Sequence, residues 1–89
     1  MDERASRVAV ISIIVEEPEQ AQHLNEILHL YSEYIIGRMG IPYREKGISL
    51  ISIAVDAPQD ITNAISGKIG RLPGITSKAV YAGTESAAK

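Results

Sequence analysis

ISIIVEEPEQ, at residues 11–20, returns forty residues later as ISIAVDAPQD, at residues 51–60. Each copy begins with a run of β-branched residues, which is typical of a buried strand. Each then reaches an acidic residue and a proline, at Glu17-Pro18 and at Asp56-Ala57-Pro58. Because proline suits the first turn of a helix and carboxylates stabilise a helix N-terminus, both copies predict a strand followed by a helix.

Helical periodicity follows both prolines, and a second strand is predicted after each helix. The apolar positions after Pro18 are Ala21, Leu24, Ile27, Leu28, Tyr31 and Tyr34. The shorter set after Pro58 is Ile61, Ala64, Ile65, Ile69 and Leu72, and it ends at residues 70–74. The spacing within both sets is that of an amphipathic helix. The strands that follow are predicted at residues 34–43 and 75–82.

The order β-α-β therefore occurs twice, with first strands at residues 7–15 and 47–55. Two such units joined by the turn at residues 45–47 predict an α+β, ferredoxin-like βαββαβ sandwich: a four-stranded antiparallel sheet with two helices on one face. We expect the first and third strands to lie in its centre, parallel to each other, and Pro42 to lie on an edge strand. This single domain covers residues 7–82, between a flexible N-terminus, 1–6, and a flexible tail, 83–89.

Composition restricts the class of protein. Of the 89 residues, 45% are hydrophobic and 22% charged, which is typical of one globular domain. A net charge of −2 argues against direct nucleic-acid binding and against attraction to an anionic membrane. No apolar run approaches the roughly 20 residues of a spanning helix, so we expect a cytoplasmic protein. Because cysteine is absent, disulfides and thiolate metal sites are excluded.

The sheet face opposite the helices is predicted to be apolar. In the first and third strands the bulkier alternating sets are assigned to the helix side. They are Ala9, Ile11, Ile13, Val15, Ser49, Ile51, Ile53 and Val55. The opposite face then carries Val8, Val10, Ile14, Ile48 and Leu50. Because a face of this size is near the largest apolar patch that a monomer normally exposes, these five residues predict the interface of a homodimer or higher oligomer.

Glu26, His29 and Glu33 share one face of the first predicted helix at spacings of three and four. This spacing is compatible with a weak site for a divalent metal, completed by a second subunit. A solvated helix face with modest charge pairing explains the same three residues. No other cofactor is expected.

Gly37, Arg38 and Gly40 form a candidate effector site in the second predicted strand. Glycines permit close approach to the backbone, and the arginine offers a planar fork for an anionic group. A bulged edge strand with an arginine at a subunit interface is the alternative interpretation. No catalytic set, phosphate-binding loop or dinucleotide fingerprint occurs, so we expect no enzymatic activity.

The chain resembles a family of ACT-like proteins, the regulators of the iron-only hydrogenase system. Their fold is similar to the C-terminal effector domain of the nickel-responsive repressor. The resemblance covers residues 7–81 and rests on the segments VAVISIIVE, YIIGRMGIPY, GISLISIAVD and GKIGRLPGI. It implies a regulatory, effector-binding or assembly role rather than catalysis. We expect an oligomeric regulatory domain that binds a small anionic effector near Gly37, Arg38 and Gly40 across a subunit boundary. The repressor's histidine cluster and cysteine have no counterpart here, which argues against nickel sensing.

Other functions stay open. The chain can serve as an interaction scaffold that recruits a hydrogenase maturation or transcription partner. Two further functions have less support from the residues. One is an enzyme built around a cavity between paired sheets, and the other is a metal sensor.

Overall fold

The computed structural model describes residues 5–83 of the chain. These residues form four strands and two helices in the predicted order. They are β1 (Arg7–Val15), α1 (Ala21–Leu30), β2 (Ile35–Tyr43), β3 (Ile48–Ala57), α2 (Gln59–Gly70) and β4 (Ile75–Tyr81). Short 3₁₀ turns occur at Pro18–Gln20, Ser32–Tyr34 and Arg44–Lys46. Residues 1–4 and 84–89, which make up most of the two ends predicted to be flexible, lie outside the described residues.

The four strands form one antiparallel sheet in the order β2-β3-β1-β4. The predicted ferredoxin-like α+β fold is therefore confirmed, with β2 as an edge strand. β1 and β3 do lie in the centre, but the expectation that they run parallel is wrong, because they pair antiparallel. The hairpin at Arg44–Lys46 explains this direction. It reverses the chain, so β3 runs against β2, whereas α1 carries the chain across the sheet and leaves β2 parallel to β1.

The core lies between the helices and one face of the sheet. The alternation predicted for β1 is confirmed, because Ala9, Ile11, Ile13 and Val15 are each at most 3% exposed. The other buried members of this core are Leu24, Leu28, Ile53, Val55, Ile65, Ile69 and Ile75. Tyr34, which the periodicity assigned to the first helix, lies instead in the 3₁₀ turn that leads into β2. Within residues 5–83, neither helix has the length and hydropathy needed to cross a membrane.

Gly74 forms the turn that precedes β4 and joins it to the end of β1. Its φ of +70° lies in the left-handed region, which residues other than glycine rarely adopt. Its carbonyl accepts the backbone N–H of Glu16 over 2.7 Å, which ties β4 to the end of β1. A Cβ at this position would lie 2.5 Å from Cγ of Glu17. Two independent constraints therefore require glycine here.

Candidate functional site

The sheet face opposite the helices, called the outer face below, is apolar and exposed. Strand register assigns residues to it. Among residues 5–83, ten large hydrophobic side chains are exposed, and eight of them lie on this face. They are Val8, Val10, Ile14, Met39, Ile41, Tyr43, Leu50 and Val80. Four of the five predicted interface residues are in this group, and Ile48, the fifth, lies on the same face but is partly buried.

Adjacent rows of the outer face combine bulky and small side chains. Ile14, Leu50 and Ile41 lie side by side across β1, β3 and β2. In the next row Ser12 and Ser52 are paired on the two central strands, with Lys78 and Met39 beside them on the edge strands. The serines are short, so a shallow depression of about 240 Å³ lies between these rows. Such a surface of ridges and hollows suits packing against another apolar face.

A bulge in β2 determines which way its side chains point. Ile35 pairs with Val55 and Gly37 pairs with Ala54, which leaves Ile36 as the extra residue. A bulge shifts the alternation of the strand by one position. As a result Ile35 and Arg38 both lie on the helix side, although they are three residues apart. The bulge and the edge position in the alternative interpretation are therefore confirmed, whereas an arginine at a subunit interface stays a prediction.

The bulge places Arg38 in a groove between α1 and β2, called the α1–β2 groove below. It has a volume of about 330 Å³ and is lined by Asn25, Leu28, His29, Ser32, Ile35 and Arg38. The Arg38 guanidinium donates a hydrogen bond from Nη2 to Oδ1 of Asn25 over 3.2 Å. This bond joins the two walls of the groove. The arginine of one predicted site and the histidine of the other therefore line a common groove.

The three predicted effector residues do not lie on one face. Gly37 is on the outer face opposite Ala54, whereas Arg38 and Gly40 are opposite Ile53 and Ile51 on the helix side. A Cβ at Gly37 would meet nothing within 4 Å, and one at Gly40 would make an ordinary contact of 3.8 Å with Ile51. Contacts within the chain therefore do not require either glycine.

The predicted metal residues do not form a metal site within one chain. Across residues 5–83, no three His, Cys, Asp or Glu side chains are close enough together to hold a metal ion. Glu26 and His29 lie on the exposed side of α1, and Glu33 lies in the following 3₁₀ turn. A site completed by a second subunit stays a prediction.

A hydrogen bond at the end of β2 shifts the pKa of Tyr43. Its hydroxyl donates a hydrogen bond to Oε1 of Glu45 over 2.8 Å. This bond, with a smaller contribution from desolvation, raises the pKa of Tyr43 above the ordinary value of 10.0. The pair lies where β2 enters the hairpin, so it belongs to the rim of the outer face.

Sequence reasoning missed several residues of both surfaces. Asn25 and Ser32 line the α1–β2 groove, and Asn25 could have been found because it lies four positions before His29 on the same helix face. Met39, Ile41 and Tyr43 extend the outer face onto β2. Their alternation is visible in the sequence, but the face they belong to depends on the bulge at Ile36.

These features define a small ferredoxin-like α+β domain with an uncovered apolar sheet face and a polar groove beside it. The chain belongs to the TM1266-like family, described as "Iron-only hydrogenase system regulator, putative", which matches residues 7–79. Among curated proteins none matches the chain. A similar solved structure is that of the uncharacterized protein TM1266 from Thermotoga maritima. The two chains are 32% identical, with a TM-score of 0.81 over 85% of this chain and 96% of that one.

Proposed function

We propose that the protein is a non-enzymatic regulatory domain of the iron-only hydrogenase system, which works as a homodimer or higher oligomer and binds a small effector. The family description supports the regulatory role. The exposed apolar outer face carries the proposal of self-association.

The area of the outer face supports an interface between two copies. Four strands of about 18 Å, spaced about 4.8 Å apart, present roughly 350 Å² of plane per subunit. Burying two such faces yields about 17 kcal/mol at about 25 cal/mol/Å², which is an upper figure because Ser12, Ser52, Asp56, Thr76 and Lys78 interrupt the apolar surface. Association costs about 4–15 kcal/mol, so the balance favours a dimer. The cross-strand row of Ile14, Leu50 and Ile41, towards the hairpin end of the face, supplies three adjacent bulky side chains that can serve as buried anchors.

The glycines of β2 support a binding role for this strand. Neither Gly37 nor Gly40 has a positive φ, and neither is crowded within the chain. Glycine inside a strand lowers stability, and it often marks the close approach of a ligand or of another backbone. Arg38 lies between them and supplies a positive charge. An effector or a second subunit that reaches β2 accounts for all three residues.

Sedimentation velocity over a concentration series tests the proposed oligomer. We expect a dimer or higher species at micromolar protein, and a monomer across the range would refute it. A thermal-shift screen against amino acids, nucleotides and divalent metals tests for an effector, because a ligand that binds only the folded state raises the Tm. No shift with any member of the panel would remove the support for an effector.

An interaction scaffold is a second candidate, favoured by the position of β2. This strand forms one edge of the sheet, and an edge strand offers backbone groups to which a partner chain can add a strand. A pull-down with recombinant maturation or transcription proteins should then lose its partner on Arg38→Glu, while no small ligand changes the Tm. Retention of every partner by the variant would contradict this role for Arg38.

A further inference from the structure

The α1–β2 groove has the composition of a small-ligand site. Its volume of about 330 Å³ falls at the lower end of the range for such pockets, about 300–1,000 Å³. Leu28, which is 3% exposed, and Ile35, which is partly buried, supply an apolar floor. Asn25, His29, Ser32 and Arg38 place polar groups around it. A few polar groups above an apolar surface are typical of sites that fix the orientation of a small molecule.

Arg38 gives the groove its charge. Among residues 5–83, the hydrogen-bond partner of its guanidinium is the neutral side chain of Asn25, and the arginine is paired with no carboxylate. The bond to Asn25 uses one of the five N–H donors and holds the guanidinium across the groove. The remaining donors keep the fork geometry that matches a carboxylate. An arginine held in this way is prepared to bind an anionic group.

The surroundings restrict that anion to a single charge. Arg38 is the one arginine or lysine in the lining. Glu26 lines the adjoining surface of α1 together with Asn25 and His29, which places one carboxylate beside the groove. Its negative charge disfavours a dianion such as phosphate at neutral pH. The apolar floor favours a ligand with a short hydrocarbon body.

We propose that the α1–β2 groove binds a small monocarboxylate with a short apolar tail. The ligand carboxylate forms an ion pair with Arg38. The side chains of Ser32 and His29, which also line the groove, donate further hydrogen bonds to it, and the apolar tail covers Leu28 and Ile35. The inference deepens the proposed function and rests on it, because it gives the effector a chemical class and locates it on the helix side of β2. The effector then occupies a site within one subunit, beside an edge strand that a second copy can approach.

Amide NMR of the full chain, titrated with sodium butyrate at neutral pH, tests the proposal. A ligand of six non-hydrogen atoms at ordinary ligand efficiency has a dissociation constant of about 1–10 mM. We expect saturable shifts at residues 25, 28, 29, 32, 35 and 38. Three compounds serve as comparison ligands. Butyramide keeps the tail but lacks the charge, acetate keeps the charge but has a shorter tail, and phosphate carries a second charge. Each should bind more weakly, and sodium chloride at equal ionic strength should give no localised shifts.

Arg38→Gln should weaken butyrate binding by about tenfold or more, since it removes the charge-assisted pair. Arg44→Gln is the matched control, because it makes the same change in the hairpin and should leave binding unaltered. Shifts that fail to saturate, that survive Arg38→Gln, or that centre on the outer face would overturn the groove as a carboxylate site. Sedimentation of the same samples distinguishes the two proposals. An oligomer that does not bind butyrate refutes only the carboxylate site in the groove, whereas a monomer that binds butyrate refutes only self-association through the outer face.

Discussion

Leu50→Glu should dissociate the oligomer, because Leu50 lies between Ile14 and Ile41 on a central strand of the outer face. Its side chain is 39% exposed in the single chain. Full burial of a leucine is worth about 1.5–3 kcal/mol, so covering this fraction contributes about 0.6–1.2 kcal/mol per copy. A symmetric dimer contains the residue twice, which doubles the loss to about 1.2–2.4 kcal/mol. The introduced carboxylates would also be buried without partners, at a further cost of about 1–3 kcal/mol or more for each of the two copies.

The combined effect is at least about 3 kcal/mol, which raises the dimer dissociation constant about a hundredfold or more. Sedimentation equilibrium of wild type and variant over the same concentrations measures it. Leu30→Glu is the matched control, because Leu30 is 71% exposed on α1, away from the sheet. Circular dichroism checks that each variant keeps its fold.

Ser12→Arg provides a second test that removes no apolar contact within the subunit. Ser12 is exposed on the central strand β1 beside Ser52, so a bulky side chain there would obstruct a facing sheet. If Leu50→Glu and Ser12→Arg associate as tightly as wild type while folded, the outer face is not the interface.

Three further predictions concern single sites. Gly74→Ala should lower the free energy of unfolding by about 2–3 kcal/mol, against about 1 kcal/mol for Gly47→Ala, since both have positive φ but only Gly74 is crowded. Glu45→Gln should lower the pKa of Tyr43 towards 10.0, because it replaces the carboxylate that accepts its hydrogen bond. Thr62→Val should stabilise the fold by about 1 kcal/mol, because Oγ1 of this buried residue has no hydrogen-bond partner among the described residues.

Each of these predictions has a direct readout. Urea unfolding at one fixed protein concentration compares the stability of the two glycine variants. Adding Glu17→Ala to Gly74→Ala should restore the part of the unfolding free energy that is lost through the contact with Glu17. Equal losses at both glycines would contradict the contact with Glu17. The titration of Tyr43 is followed by phenolate absorbance as the difference from a Tyr43→Phe variant, because the chain has four tyrosines. Because its pKa is raised, the stability it contributes is present below pH 10.0 and is lost as the pH rises through the folded value. Destabilisation by Thr62→Val would indicate a partner for its hydroxyl.

The element order could be predicted because alternation and helical spacing are local properties. The predicted first strand matches β1, and the strand predicted from residue 34 begins one residue later, at Ile35. The assignment of the bulky set of β1 to the core was confirmed by burial. The predicted direction of β3 relative to β1 was wrong. That direction depends on how the two βαβ halves are joined, and the hairpin between β2 and β3 determines it.

The arrangement of the site was less predictable, because one bulge controls it. Strict alternation from Ile35 would place Gly37 on the helix side and Arg38 on the outer face. The extra residue at Ile36 exchanges these positions and brings Arg38 to Asn25. A bulge depends on pairing with β3, which local sequence patterns do not encode. The residue types of the site were therefore visible in the sequence, but their grouping was not.

The most direct measurement is an isotope-filtered NOE experiment on a mixture of labelled and unlabelled chains, which detects only contacts between copies. We predict intermolecular NOEs among the methyl groups of Val10, Ile14, Ile41 and Leu50. Intermolecular NOEs from the helix side instead, for example from Leu30, would contradict the account. So would their complete absence in folded protein at the concentration of the experiment.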